Sequence, residues 1–302
     1  MRTCIILNPH AGTIVAQPAL LDRIRAVFGT DLWLTQRPDD ATTLARTAIR
    51  RGYDRIVAAG GDGTISEVLT GLAPDFERVQ FGILPVGTAN DFARSLDLPT
   101  DLETALTLLA AGVTRKLDLV QITTDRVSYC INVSAGGISG MFNEMAAAAV
   151  TTWRPLAYLR AAMVLVPQLT PYHATVTCDD EDPFAISLWN LAIANGRYVA
   201  HGVPIAPTAE LDDGWLDVVL IRATSLPALA LLTPQVVLGR HLDSDQVLFR
   251  RARRVVVQSD PPMWLSVEGE VLGVTPATYQ ILPHALKVIT GPSTLAPPAD
   301  AA

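Results

Sequence analysis

Cysteine is scarce in this chain of 302 residues, which has three: Cys4, Cys130 and Cys178. Thiols so few and so scattered make neither a disulfide framework nor a zinc site, and they point to a reducing cytosol. Long apolar runs are lacking as well. The opening Cys4-Ile5-Ile6-Leu7 is too short for a signal-peptide core. The most apolar internal stretch, Leu156 to Val166, contains Arg160 and ends at Pro167. A bilayer-spanning helix needs about 20 apolar residues, so any membrane contact is expected to be peripheral. Positive charge is not in excess: the net charge of −7 and a pI near 5.2 argue against a nucleic-acid partner. Arg250-Arg251-Ala252-Arg253-Arg254 is the one dense basic run. It reads as a solvated strand edge ahead of a lipid-headgroup patch. His10, His173, His201, His241 and His284 show no ligand spacing and read as structural or surface residues, with His10 set apart by its glycine loop.

What is present is a hydrophobic share of 49%, enough to bury a core in each of two domains at this length. The first part alternates strands and helices. Strands are expected at Cys4–Leu7, Leu32–Thr35, Arg55–Ala59 and Phe81–Pro85. Helices are expected through Leu20, Leu21, Ile24 and Val27, over Ala41–Arg50, and through Ile65, Val68, Leu69 and Leu72, which share one face. This rhythm predicts a Rossmann-like α/β domain, a parallel sheet with helices on both faces and ligand beyond the strand C-termini. From about Asp118 the pattern changes to short strand-like runs: Val127–Val133, Ala174–Cys178, Leu188–Ala194, Leu216–Ile221, Val255–Gln258, Trp264–Val267 and Leu286–Thr290. These predict an antiparallel β-sandwich with helical insertions at Met141–Val166 and Leu226–Leu238. The expected domains are 1–120 and 121–290, followed by a disordered Pro- and Ala-rich tail over 291–302.

Gly60-Gly61-Asp62-Gly63-Thr64 lies between the third strand and its helix. Glycines let a ligand approach the backbone, and the free N–H groups of a helix start attract phosphate. A carboxylate in that loop repels bare phosphate, so a cation is expected between them. That combination points to a nucleoside triphosphate with Mg²⁺, and so to phosphoryl transfer. A tight turn with Asp62 as a helix cap is the plainer alternative. Glu67, one turn further on, fits either an active-site role or a charged first-turn residue.

Two further loops follow strands: Asn8-Pro9-His10-Ala11-Gly12, and Gly87-Thr88-Ala89-Asn90-Asp91-Phe92. Together with the Asp62 loop, in this order, the set resembles the diacylglycerol kinase catalytic-domain family, which includes bacterial soluble lipid kinases and sphingosine and ceramide kinases. The resemblance continues through Asn132, Ala135-Gly136-Gly137-Ile138, Asn195-Gly196, Ala206-Pro207, Asp213-Gly214-Trp215-Leu216-Asp217-Val218 and Glu268-Gly269-Glu270. It implies that Asn8, Pro9, His10, Ala11, Gly12, Thr35, Gly60, Gly61, Asp62, Gly63, Thr64, Ile65, Ser66 and Thr88 surround ATP. It implies that Asp62 holds the catalytic Mg²⁺ through water, that Asp91 belongs to the same network, and that Glu270 accepts the proton. Glu210 and Trp215, through main-chain carbonyls, and Asp213 correspond to a second, structural Mg²⁺ site. The implied activity is transfer of the γ-phosphoryl group of ATP to a hydroxyl of diacylglycerol or a similar lipid.

Four positions depart from the family pattern: Thr13-Ile14 lacks basic residues, Ser66 stands for Asn, Ala200-His201-Gly202 is poorer in glycine, and Glu268 stands for Asp. A carboxylate of pKa near 4.3 cannot deprotonate a resting alcohol, so Glu270 would act late, as the new P–O bond forms. Trp153, Leu156, Tyr158, Leu159 and Met163 suit either an acyl-chain cleft or a core helix. An NAD kinase shares the Asp62 loop and the two-domain plan, but the third loop here follows the lipid-kinase pattern. A nucleotide or lipid sensor without turnover is the remaining alternative. The oligomeric state stays open between monomer and homodimer.

Overall fold

Short apolar runs closed by turn residues become parallel strands in the first part of the chain. The computed structural model describes residues 1–16, 19–28, 31–138, 170–268 and 270–290. The chain divides into two units: Met1–Leu117 with the segment from His284 onward, and Asp118–Pro283.

In the first unit β1 (Thr3–Leu7) lies between β2 (Leu32–Leu34) and β3 (Arg55–Gly60), and β4 (Gln80–Pro85) follows β3, all parallel. Burial runs unbroken along β3, as expected of a sheet covered on both faces. The helices are α1 (Gly12–Ala16), α2 (Ala19–Phe28), α3 (Asp40–Arg50), α4 (Asp62–Leu72), α5 (Asp91–Ser95) and α6 (Leu102–Ala111). α3 turns Ala41, Ala45 and Ala48 inward, one residue per turn. That small-residue stripe lets α4 come so close that a Cβ on Gly71 would lie 2.5 Å from the Thr42 carbonyl oxygen. α6 begins where the Asp101 side chain accepts from Thr104 N at 2.9 Å and ends at Gly112 with φ 67°, the two termini its sequence favours. Two helices, α5 and α6, thus follow the third loop.

The second unit is built from antiparallel strands. They are β5 (Thr114–Thr123), β6 (Val127–Cys130), β7 (Val133–Gly137), β8 (Tyr172–Cys178), β9 (Phe184–Ala194), the short pair β10 (Tyr198–Val199) and β11 (Val203–Pro204), β12 (Leu216–Arg222), β13 (Val247–Ala252), β14 (Arg254–Asp260), β15 (Trp264–Val267), β16 (Glu270–Val274) and β17 (Ala277–Ile289). β9 organises them. Its first half pairs β8, its second half pairs β7, and β12 runs along its other edge. A cluster including Val176, Leu191, Val218, Val257, Leu265 and Tyr279 fills one core. α7 (Leu226–Val237) covers a second core through Leu232, with Leu229 and Val236 packed against it.

Several expectations are corrected here. Val127–Val133 is two strands, because the backbone N–H groups of Ile131 and Asn132 turn to the Glu268 carboxylate instead of continuing a ladder. β5 was hidden by Arg115, Lys116 and Asp118, and β13 by its arginines. β17 pairs β14 through Ala277–Gln280 and β4 through Lys287–Val288, so its two halves serve different units. By the packing of the chain the second unit runs from Asp118 to Pro283, and the segment from His284 belongs with the first unit. The Met141–Val166 insertion, the cleft residues on it and the 291–302 tail lie outside the described residues. Among the described residues no helix is long and apolar enough to cross a membrane.

Candidate active site

The parallel register aligns the strand ends of the first unit, with Leu7 opposite Ala59 and Gly60 opposite Pro85. Backbone bonds then tie the departing loops together. Asn8 N donates to Ala59 O at 3.0 Å, Thr35 N to Leu7 O at 3.0 Å, Val86 N to Gly60 O at 3.2 Å and Thr13 N to Val86 O at 3.0 Å. Asn8, Thr35, Gly60–Ser66 and Thr88–Asp91 are thereby brought to one edge of the sheet.

Each loop is shaped by its own residues. In the first, Asn8 Oδ1 accepts from His10 N at 2.9 Å and Asn8 O accepts from Ala11 N at 3.1 Å, folding the chain around Pro9. A Cβ on Gly12 would lie 2.8 Å from Thr88 Oγ1, so the first and third loops come close at this glycine. In the second, Gly61 caps α4 in extended conformation with no side-chain bond, leaving the first-turn N–H groups for a ligand. The third loop turns at Asn90, whose φ is 51°. Its Oδ1 accepts from Gly87 N at 3.1 Å and its Nδ2 donates to Gly87 O at 3.1 Å. The second and third loops touch backbone to backbone, since a Cβ on Gly87 would lie 2.2 Å from Gly61 Cα.

Asp62 joins these two loops. Its Oδ1 accepts from Phe92 N at 3.1 Å, a bond from one loop to the other. Burial pushes its carboxyl above the usual range and the charge of nearby Asp91 adds to this, against the opposing effect of the Phe92 and Asp91 N–H groups. Asp91 itself is buried. Among the described residues no arginine or lysine is paired with Asp62. A partly desolvated Asp62 carboxylate calls for a proton or a cation, and oxygen donors beside helix N–H groups fit Mg²⁺. Ile65 is buried in the core and offers a ligand only its main chain. Glu67 Oε2 accepts from Ala41 N at 3.1 Å and so caps α3, a structural contact with a neighbouring helix instead of its own.

The second unit holds the remaining candidates. Asn132 O accepts from Asn195 N at 2.8 Å and Gly196 N at 2.9 Å, and Asn195 Nδ2 donates to Ile131 O at 2.7 Å. These two asparagines lock adjacent turns. Glu268 sits beside them with φ 52°, in the left-handed region that costs a side chain about 1–2 kcal/mol. Its Oε1 accepts from Asn132 N at 2.9 Å, Ile131 N at 3.2 Å and the Cys130 thiol at 3.1 Å. The extra methylene relative to Asp is thus spent reaching these donors. Glu270 opens β16, paired with Val267, and its side chain, like Gly269, lies outside the described residues.

Asp213 and Trp215 are brought together, with Asp213 Oδ1 accepting from Trp215 N at 3.0 Å. Glu210 is exposed. The buried Asp118 anchors this turn by accepting from Gly214 N at 2.6 Å. Sequence reasoning passed over Asp118, Asn90 as a loop organiser and Arg251, which is paired with both Asp213 and Asp217. The basic run 250–254 is an edge strand in part, since β13 pairs only β12 among the described residues, but Arg251 within it is not a free solvated charge. Among the described residues no group of three or more His, Cys, Asp or Glu is arranged to hold a metal ion.

Residues 2–122 match the diacylglycerol kinase catalytic domain, and residues 132–290 match the YegS C-terminal NAD kinase beta sandwich-like domain. The chain is 32% identical over 295 residues to a diacylglycerol kinase of Staphylococcus carnosus (strain TM300), covering 96% of this chain and 95% of that one. It is 31% identical over 295 residues to a diacylglycerol kinase of Bacillus subtilis (strain 168), covering 95% and 96%. The crystal structure of a diacylglycerol kinase from Bacillus anthracis str. Sterne has the same fold, with a TM-score of 0.73 at 22% identity over 97% of this chain and 98% of that one. With two domain matches in the same order as its loops, and relatives alike over nearly the whole length, this chain belongs to the diacylglycerol kinase catalytic-domain family.

Proposed function

We propose that this chain is an ATP-dependent lipid kinase that transfers the γ-phosphoryl group to a hydroxyl of diacylglycerol or a similar lipid, forming phosphatidic acid or its analogue. The observation that carries the reading is the convergence of three strand-end loops around Asp62 and Asp91, with an open helix start beside them. Family membership supports the lipid as acceptor.

In this reading the backbone N–H groups at the start of α4 bind the phosphates, and Asn8–Gly12, Thr35 and Thr88 orient the nucleotide. Mg²⁺ held by Asp62, with Asp91 beside it, would supply neutralisation of the charge that develops in phosphoryl transfer. The Asp62–Phe92 bond keeps the carboxylate aimed by holding the second loop to the third. Glu270 takes the acceptor's proton as the hydroxyl acidifies. The acceptor resides in a bilayer, so transient contact with a membrane surface is part of the reading.

The test is an acceptor screen with the purified chain, ATP labelled in its γ-phosphate and Mg²⁺. Diacylglycerol, monoacylglycerol, ceramide, sphingosine and NAD are offered separately, the lipids in mixed micelles. Label in a phospholipid product is the expected result. NADP as the labelled product, or ATP binding without transfer to any acceptor, would overturn it.

A further inference from the structure

We propose that Arg251 takes the place of a second divalent cation at the Asp213 turn, so that the second unit is closed by a cation of its own chain. The inference stands apart from the lipid-kinase reading, because it concerns a turn whose stability can be read without turnover.

The register of β12 and β13 puts Asp217 opposite Arg251. The Asp213–Trp215 turn runs directly into β12, so one guanidinium on the edge strand reaches both carboxylates. Arg251 Nε donates to Asp217 Oδ1 at 3.1 Å, and its Nη2 is paired with Asp213 Oδ2. Asp217 is 1% exposed and its Oδ2 accepts from Thr208 Oγ1 at 2.8 Å. The guanidinium carbons of Arg251 and Arg253 also lie 5.8 and 4.8 Å from the Trp215 ring centroid. A planar, always-charged fork suits two acidic partners and an aromatic face together.

These contacts occupy the Asp213 carboxylate, the one side chain in the set that a structural Mg²⁺ would need. Asp213 has one oxygen on Trp215 N and the other on Arg251. A divalent ion at Asp213 would sit against the guanidinium, like charge on like. Mg²⁺ also demands near-octahedral oxygen geometry and keeps its waters, whereas the guanidinium is covalently attached and independent of ion concentration. The residues present therefore fit an arginine closure and do not fit a second metal.

The test uses thermal unfolding of the full chain, in Mg²⁺ and in EDTA, for the wild type and Asp213→Asn. Any ion bound at Asp62 affects both alike, so the difference isolates this turn. The expected result is the same Mg²⁺ response in both. For Arg251→Met the melting temperature should fall in EDTA and recover in part with Mg²⁺, with Arg251→Lys in between. Terbium emission sensitised by tryptophan gives an independent readout. It should be alike in wild type and Asp213→Asn, appear or rise in Arg251→Met, and drop again when Asp213→Asn is added. A Mg²⁺ stabilisation or terbium signal present in the wild type and lost in Asp213→Asn would overturn the proposal. So would an Arg251→Met protein as stable as the wild type in EDTA. If Arg251→Met does not fold, the wild-type and Asp213→Asn comparison alone decides.

Discussion

Substituting Gly87 by alanine puts one methyl group where the second and third loops touch. The new Cβ would sit 2.2 Å from Gly61 Cα, 2.8 Å from Gly61 N and 2.7 Å from Asn90 Oδ1. Carbon atoms in ordinary contact are about 3.5–4.0 Å apart, so the loops must part by roughly 1.3–1.8 Å. Moving the Asn90 side chain cannot absorb this, because the nearest atom, Gly61 Cα, is backbone. Overpacking of this kind costs about 1–3 kcal/mol, which lowers the melting temperature by about 2–4 °C per kcal/mol in a domain of about 150–250 residues. The kinetic effect is larger: a shift of about 1 Å in groups that position a substrate can cost on the order of 10²-fold in rate. Gly52→Ala is the control. A Cβ there meets nothing within 4 Å, but the backbone has φ 72°, so it should cost about 1–2 kcal/mol through conformation alone. Paired melts and kcat/KM for labelled phosphate transfer to diacylglycerol separate the two. Gly87→Ala should lose both stability and transfer, and Gly52→Ala only stability. A Gly87→Ala enzyme with wild-type kcat/KM would refute the claim that this contact sets the loops.

Glu268→Ala strands the Ile131 and Asn132 N–H groups, and each unsatisfied buried donor costs about 1–3 kcal/mol. Glu268→Gln keeps an acceptor oxygen and should lose less, and urea midpoints that rank the two the other way would contradict this. Burial pulls the His241 pKa below its ordinary value, against the Ile205 and Gln235 carbonyls. The unfolded chain therefore takes up a proton near pH 6.5 that the folded chain refuses. The stability present above about pH 6.5 is lost as pH falls below it toward the folded pKa. Urea midpoints should drop over that range and flatten in His241→Gln; parallel curves would argue against the assignment. All three thiols are buried, with Cys4 pushed up to about 12 chiefly by burial and Cys130 and Cys178 also raised. Iodoacetamide at neutral pH should leave the folded chain unmodified by intact mass and label it in urea. Rapid labelling of the native protein would contradict the packing around these residues.

Local signals carried much of the first unit. Short continuous apolar runs, a 3.6-residue stripe and glycine loops after strands are written in adjacent residues, and they became β1, β3, β4, α4 and the three loops. The second unit was legible in composition more than in detail. β13 looked like a solvated basic run because the carboxylates that hold Arg251 lie 38 and 34 residues earlier, in a turn and on β12. Glu67 could not be placed by its own helix, since the group it caps belongs to α3. Asp118, a charge in the middle of an apolar strand, gave the one local hint of a buried partner. The return of β17 to β4 had no local signal, because pairing between distant segments depends on where both strands end.

The central claim is that Asp62 positions a divalent cation for phosphoryl transfer. Asp62→Asn tests it most directly, because the amide oxygen can still accept from Phe92 N and keep the two loops joined. Mg²⁺-dependent transfer from ATP to diacylglycerol should fall by at least about 10²-fold, with the melting temperature near that of the wild type. Unchanged turnover with unchanged Mg²⁺ dependence in Asp62→Asn would contradict the account.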